Sequence, residues 1–364
     1  MRIRSVIEVL EHWAPRPLQE DYDNCGLHVG DPDAEVKAAL VCLDCTEAVV
    51  EEAAARGCGL IISHHPVIFK GLKSLVARSG VERTLLAAIR HGIALYAIHT
   101  NLDNVLSGVN HEVATRLGLH PLRVLDPKPD QLRKLVVFVP QSHAEPVRQA
   151  LFKAGAGRMG SYDECSYSLD GQGTFRAGAG ADPYVGSIGQ RHTEPEVRVE
   201  VILETHRAQA AISAMKAAHP YEAVAYDLYP LGNRHAEIGS GLLGELEKPV
   251  DGPAFIALLK QVFGTPVVRH TALPHRQIRR VAVCGGAGGF LIGAARAAGA
   301  DAFVTADLKY HQFFEPDGQL LLADVGHYES EHFTMHLIQG QLKGSLPTFA
   351  VHLTETVTNP LFYS

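Results

Sequence analysis

Residues 59–66 have the sequence GLIISHHP, in which a short apolar run ends in a serine, two histidines and a proline. Such a run, introduced by a glycine, is typical of a buried strand. Further buried strands are predicted at residues 36–45 and 93–98, and helices at 47–56 and 81–91. Strands that alternate with helices indicate βαβ units and a parallel sheet.

The last third of the chain repeats this alternation. Strands are predicted at residues 280–284, 302–305, 319–323 and 349–353, with helices at 289–298 and 328–342, and the first block ends in a helix near 109–117. We therefore expect an α/β protein with two βαβ-type blocks that form one unit.

The pattern between the two blocks is different. Strands are predicted at residues 134–139, 161–168, 197–203 and 223–228, and helices at 144–154 and 207–218. The order β-α-β-β-α-β is typical of a ferredoxin-like α+β domain. We predict that the α/β domain consists of residues 1–130 and 233–364, and that the ferredoxin-like domain at 131–232 is inserted into it.

The composition is that of a globular protein. The 364 residues suggest two to three domains at about 150 residues each. A net charge of −7 gives no overall basic field, so we expect neither nucleic acid nor a membrane as a partner. We find no export signal or membrane-length apolar run, so we expect a cytoplasmic protein with reduced cysteines. The 20 histidines are numerous, and histidine is the commonest metal ligand.

Metal-binding side chains follow three of the predicted strands. In open α/β sheets, ligands bind at the carboxyl ends of the strands. We therefore expect one crevice to contain the five candidate metal ligands His64, His65, Asp103, His327 and Glu331.

The spacing of these residues suggests two ions. His327 and Glu331 are four residues apart at the start of a helix, so both can face one ion. His64 and His65 are adjacent, and adjacent side chains on extended backbone diverge, which suits two ions better than one. Three nitrogens and two carboxylates favour Zn, Fe or Mn over Mg or Ca.

Other features leave two interpretations open. His99, Asp307, Lys309 and His311 are candidate pocket residues, and Lys309 could meet an anionic substrate or simply be a solvated surface residue. The glycine-rich segment 284–289 fits either a phosphate-binding turn or a tight strand-to-helix turn.

Cys42 and Cys45 form a CxxC on a predicted strand. Residues three apart on a strand point to opposite faces, so a metal or redox role for this pair is disfavoured.

Six short motifs occur in order along the chain: DNCGL at 23–27, SHHP at 63–66, HTNLD at 99–103, TADLKYH at 305–311, GHYESE at 326–331 and TNP at 358–360. With them, the whole chain resembles the NIF-three-like family, often labelled homologues of a type-2 GTP cyclohydrolase I. The motif HPYE at 219–222 resembles the inserted domain of longer bacterial members, itself similar to PII and CutA proteins. The resemblance implies a toroidal homohexamer with a dinuclear metal centre in each subunit, held by the same five ligands.

Two functions fit this resemblance. The first is a metal-dependent hydrolase of GTP or a related nucleotide, in which two metals activate water and a neighbouring histidine, such as His99 or His311, moves protons. The second is a non-catalytic hexamer that handles metal or regulates, with the inserted domain sensing a ligand or partner. Family resemblance does not fix a substrate.

Overall fold

The computed structural model describes residues 1–364 and shows a mixed α/β protein with three sheets. The chain forms two compact units, one made of Met1–Pro127 with Ala236–Ser364 and the other of Lys128–His235. None of the helices is long and apolar enough to cross a lipid bilayer.

The elements are numbered in chain order. The strands are β1 (Gly26–Val29), β2 (Ala38–Cys42), β3 (Leu60–Ser63), β4 (Ala94–Ala97), β5 (Leu119–Pro127), β6 (Leu132–Pro140), β7 (Tyr167–Arg176), β8 (Arg191–Glu204), β9 (Tyr226–Pro230), β10 (Gly239–Val250), β11 (Arg269–His270), β12 (Ile278–Val283), β13 (Ala302–Thr305), β14 (Leu321–Asp324) and β15 (Ala350–Leu353). The helices are α1 (Ile3–Trp13), α2 (Glu47–Ala55), α3 (Gly80–His91), α4 (Thr100–Asp103), α5 (Val109–Arg116), α6 (Ala144–Lys153), α7 (Ala208–Ala218), α8 (Gly252–Phe263), α9 (Ile292–Ala297), α10 (His327–Glu331) and α11 (Thr334–Ser345).

The first sheet has the strand order β1-β4-β3-β2-β15. Its strands are parallel except for β1, which is antiparallel to β4 at one edge. Leu60 and Ile62 of β3 pack in a core with α1 and α11, whereas Ile61 packs in a second core with α2 and α3. Helices on both faces explain why this strand is apolar throughout rather than alternating.

The second sheet has the order β11-β14-β13-β12-β10-β5. Its centre, β12 to β14, is parallel as predicted, but β5, β10 and β11 add antiparallel strands. The sequence pattern does not predict β5 or β10, because Pro121 interrupts the first and three glycines weaken the pattern of the second. Both parallel βαβ regions therefore have antiparallel additions.

The end of the chain returns to the first sheet. Strand β15, which the sequence places in the C-terminal block, pairs in parallel with β2, and Ala350 lies opposite Ala38. Ile338 and Leu342 of α11 join the same core. The helix predicted at 328–342 is in fact two helices, the short α10 and the longer α11.

The unit Lys128–His235 contains a four-stranded antiparallel sheet with the order β7-β8-β6-β9. Along the chain its main elements follow the order β6-α6-β7-β8-α7-β9. Val137 and Val199 from the sheet pack against Val147 and Leu151 of α6 and Met215 of α7. The two helices therefore cover one face of this sheet.

Glu52 of α2 fixes the segment after β15. Its carboxylate accepts hydrogen bonds from the backbone N–H groups of Glu355 (2.9 Å) and Thr356 (3.1 Å) and from the guanidinium of Arg56 (2.7 Å). Burial opposes the charge, but these bonds and one from the Thr354 hydroxyl outweigh it and lower the pKa of Glu52 to about 2.

We expect Glu52→Gln to destabilise the protein by about 1–2 kcal/mol at pH 7, because a neutral amide replaces a carboxylate that accepts several hydrogen bonds, and solvent partly screens its charge. The stabilisation is complete above the carboxyl's ordinary pKa and is lost as pH falls through its folded value. Urea unfolding of both proteins should show a difference in unfolding free energy that is constant from pH 7 to about pH 5 and narrows as pH falls further towards about pH 2. A difference that does not change below about pH 5 would contradict this assignment.

Candidate metal centre

The predicted ligands meet where the carboxyl ends of strands from two sheets face each other. His64 and His65 follow β3, and Asp103 ends α4, just after β4. His327 and Glu331 are the first and last residues of α10, which follows β14 of the second sheet. A cavity of about 460 Å³ lies here, and its lining includes four of the five, all except His64.

Glu331 lies at the centre of this group. Its Oε2 is 2.9 Å from Nε2 of His65 and 2.9 Å from Nε2 of His327, and the two nitrogens are 3.3 Å apart. One ligand atom from each of these residues lies within 4.8 Å of the others, so the three can hold a metal ion. Imidazole nitrogens with a carboxylate oxygen are typical ligands of divalent transition metals.

Two buried polar atoms beside Glu331 have no hydrogen-bond partner. Nε2 of His64 lies 3.8 Å from Oδ1 of Asp103 and 3.9 Å from Oε1 of Glu331. Both His64 Nε2 and Asp103 Oδ1 are buried and unpaired. Such atoms each cost about 1–3 kcal/mol, so a fold that retains two of them side by side fits a cation bound between them.

Nδ1, the second ring nitrogen of His64, His65 and His327, is already hydrogen-bonded. Nδ1 of His64 donates to the carbonyl of Ile98 (2.8 Å), Nδ1 of His65 to Oδ1 of Asp44 (2.7 Å) and Nδ1 of His327 to Oδ2 of Asp307 (2.8 Å). Because carbonyls and carboxylates only accept, each Nδ1 carries the proton. This pattern orients a histidine so that Nε2 faces a metal.

His99 completes a second group of histidines. Its ring centroid is 5.2 Å from that of His64 and 5.4 Å from that of His65, and one nitrogen of each lies within 4.8 Å of the others. Nδ1 of His99 donates to Oδ1 of the buried Asp23 (2.8 Å). Burial opposes the charge of Asp23, but His99 and Thr100 keep its pKa well below the ordinary value.

Buried charges shift the pKa values of the whole group. Burial favours neutral imidazoles, but carboxylates outweigh it and raise the pKa of His65 to about 10 and that of His327 to about 9. Burial and the charge of Glu331 raise the pKa of Asp103 to about 7. The raised pKa values favour the protonated forms of His65, His327 and Asp103. A bound cation would displace these protons.

Almost the whole chain matches one known protein family. Residues 1–360 match the family described as Duf34/NIF3 (NGG1p interacting factor 3). The chain belongs to the DUF34/NIF3 family. It is 38% identical over 327 residues to a protein of Halalkalibacterium halodurans named GTP cyclohydrolase 1 type 2 homolog, covering 89% of this chain and 88% of the relative. A Bacillus subtilis protein of the same name is 36% identical over 368 residues, covering 99% and 98%.

A solved structure shows the same fold. The Bacillus cereus protein related to NIF3 superposes with a TM-score of 0.86 at 35% identity, over 100% of this chain and 99% of that one. The NIF3 family membership that the sequence motifs indicated is thereby confirmed.

The other predicted pocket residues of this NIF3 protein lie outside the cavity lining. Asp307, Lys309 and His311 are all exposed and do not line the cavity, although Asp307 orients His327 through its hydrogen bond. Asp44 and Asp23, which accept hydrogen bonds from His65 and His99, were not predicted from the sequence. Asp44 follows the end of β2 by two residues, at the same sheet edge as His64 and His65, and that position was the available signal.

The glycine-rich segment makes room for a carboxylate. Gly286 has φ +60°, and a Cβ there would lie 2.2 Å from Oε1 of Glu331. The N–H groups of Gly285 and Gly286 donate to Asn110 Oδ1 and Ser330 Oγ, each at 2.9 Å. These donors are therefore used inside the protein, which favours the tight turn over a phosphate site.

The CxxC segment lies beside the site but not in it. Strand β2 ends at Cys42, and Cys45 lies in the loop that follows. Burial, with the neighbouring Cys45, raises the pKa of the Cys42 thiol well above its ordinary value. A thiol that stays protonated is a poor metal ligand or nucleophile.

We expect Asp44→Asn to lower the affinity for metal by about 10- to 100-fold without removing a ligand, because Asp44 fixes the ring of His65. Competition with a chromophoric chelator measures this. Asp33→Asn, which alters a surface pair with Arg4, is the matched control and should leave the affinity unchanged. Equal affinities of the two variants would contradict a positioning role for Asp44.

Proposed function

We propose that this NIF3-family protein is a metal-dependent hydrolase whose centre holds two divalent ions. The observation that supports this best is the pair of buried, unpaired atoms His64 Nε2 and Asp103 Oδ1, next to the close group of His65, His327 and Glu331. His64 and Asp103 would hold one ion, and His65 and His327 would hold the other. Glu331 has one oxygen towards each pair of residues and would contribute to both.

The donor set favours Zn, Fe or Mn, since it combines three imidazoles with two carboxylates. Two such ions, when bound, lower the pKa of a water molecule and polarise the bond that it attacks. His99 is the residue placed to move a proton: Asp23 holds its Nδ1, which leaves Nε2 as a base near His64 and His65. His311, the other candidate, lies outside the cavity lining.

We propose a nucleotide as the substrate, with opening of a purine ring and release of formate as the reaction. The cavity lining includes Tyr22, Phe69 and Phe290, all exposed, and the rings of Tyr22 and Phe69 are 6.2 Å apart. Exposed aromatic rings beside a polar centre are suited to stacking on a heterocyclic base. The relatives' name, GTP cyclohydrolase 1 type 2 homolog, makes GTP the first substrate to test.

The assembly is part of the same proposal. We propose a cytoplasmic homohexamer in which Lys128–His235 is a ferredoxin-like, PII- or CutA-like insertion. The strand order of its sheet and the β-α-β-β-α-β order of its elements support the insertion. Analytical ultracentrifugation tests the oligomeric state.

Two measurements test the function. Elemental analysis of protein purified without added metal should give about two metals per chain, as a dinuclear site requires. The metal-loaded protein should then release formate from GTP, and a double variant, His64→Ala with His327→Ala, should not. Two metals with no turnover of GTP, phosphoesters or cyclic amides would reject the hydrolase, and no metal after reconstitution would reject the centre.

A further inference from the structure

A second cavity, of about 610 Å³, lies within the unit Lys128–His235. Side chains alternate along β8: Val197 and Val199 are in the core under α6 and α7, so Glu196 and Arg198 are on the opposite face of the sheet. Glu196 and Arg198 both line the cavity. The cavity is therefore on the face that the helices leave open.

Three aromatic rings form one wall of this cavity. The centroid of the Tyr221 ring is 6.1 Å from that of Phe175 and 6.3 Å from that of Tyr184, with interplanar angles of 59° and 49°. All three residues line the cavity. The inclined rings form a corner lined by aromatic faces. Aromatic faces attract cations, so such a corner is suited to a small cation with an apolar body.

A buried carboxylate lies beside these rings. Glu196 is only 9% exposed, and its Oε1 accepts a hydrogen bond from the Tyr221 hydroxyl at 3.2 Å. A Cβ at position 173 would lie 2.1 Å from Oε2 of Glu196, so the glycine there allows the carboxylate to lie against β7. No cationic side chain is paired with Glu196, although burying an unpaired carboxylate is costly.

The other charges around the cavity do not neutralise Glu196. Asp170 and Glu222 also line it, and Arg198 is the one basic side chain in the lining. One guanidinium nitrogen of Arg198 lies 2.8 Å from Oε1 of Glu200, whereas its buried Nε has no hydrogen-bond partner. The lining therefore has an excess of negative charge.

We propose that this cavity binds a small organic cation, an amine or amidine with an apolar body. The cationic N–H groups would donate to Glu196, and the aromatic corner of Phe175, Tyr184 and Tyr221 would hold the charge and the apolar part. This site goes beyond the proposed hydrolase and is independent of the metal centre, so either can fail alone.

Three ligands with the same ring and different charge test the proposal on the full chain. Isothermal titration should show that benzylamine binds at least about tenfold more tightly than benzyl alcohol, because a charged hydrogen bond contributes more than a neutral one. Benzoate should not bind. Equal binding of the amine and the alcohol, or no binding of either benzylamine or benzamidine, would overturn it.

Variants test which residues bind benzylamine. Glu196→Gln keeps an acceptor for Tyr221 but removes the charge, and we expect at least a tenfold loss of benzylamine affinity. Glu247→Gln is the control, since it makes the same change at an exposed position outside the cavity lining and should bind normally. Phe175→Leu, which keeps every charge, should also weaken binding. Unchanged affinity in both cavity variants would reject the site, and thermal melts check that each is folded.

Discussion

Replacing Glu331 with glutamine is expected to lower metal affinity more than any other single change. Its two oxygens face His64 on one side and His65 with His327 on the other, so the substitution affects both proposed ion positions at once. The loss should exceed the roughly 10- to 100-fold effect of changing a supporting residue. The chelator competition used for Asp44→Asn measures it, with elemental analysis after dialysis.

A matched control is available for this substitution. Glu112→Gln makes the same chemical change on the surface of α5, where Glu112 pairs with Arg116 at 2.7 Å, and it should keep full metal content. Retention of both metals by the Glu331 variant would show that these ions bind elsewhere. Loss of one metal only would show that Glu331 is a terminal ligand rather than a bridge.

Gly286→Ala is expected to disrupt the site without removing a ligand. The added Cβ would lie 2.2 Å from Oε1 of Glu331, so the carboxylate must move. Alanine at φ +60° also carries a backbone cost of about 1–2 kcal/mol. We therefore expect a modest loss of stability together with a fall in metal affinity of about 10- to 100-fold, the range seen when ligand orientation is disturbed.

Gly264→Ala separates the two effects. Gly264 has nearly the same backbone angle, φ +64°, at the end of α8, but nothing lies within 4 Å of the Cβ position. This variant should show the stability loss and normal metal binding. If both glycine variants bound metal equally well, the close approach of Gly286 to Glu331 would have no functional role.

The parts of the site that the sequence could predict are those encoded locally. His64 and His65 directly follow a buried apolar run, and His327 and Glu331 have helical spacing, so strand-end chemistry and periodicity were enough to group them with Asp103. The structure brings these five side chains together. His99 is closer to them than a pocket residue was expected to be, within a three-histidine group.

The strand-end position of Asp44 is visible in the sequence, but the partners of the supporting residues could not be predicted in this way. Asp44 is bonded to His65 and to the hydroxyl of Thr358, and no local pattern links residues so far apart in the chain. Strand β15 was placed in the wrong block for the same reason, since an apolar run does not specify its partner strand. Long-range pairing was the information missing from the sequence patterns.

The pairing of β15 with β2 also affects how the protein is made. Asp44 and Thr358, which is hydrogen-bonded to it, are separated by 314 positions in the chain. During synthesis from the amino terminus, one edge of β2 therefore stays unpaired until residues 350–353 have been translated. His327, Glu331 and the Thr358 hydroxyl that bonds Asp44 are also translated late, so the candidate metal site is assembled only after most of its unit has been synthesised.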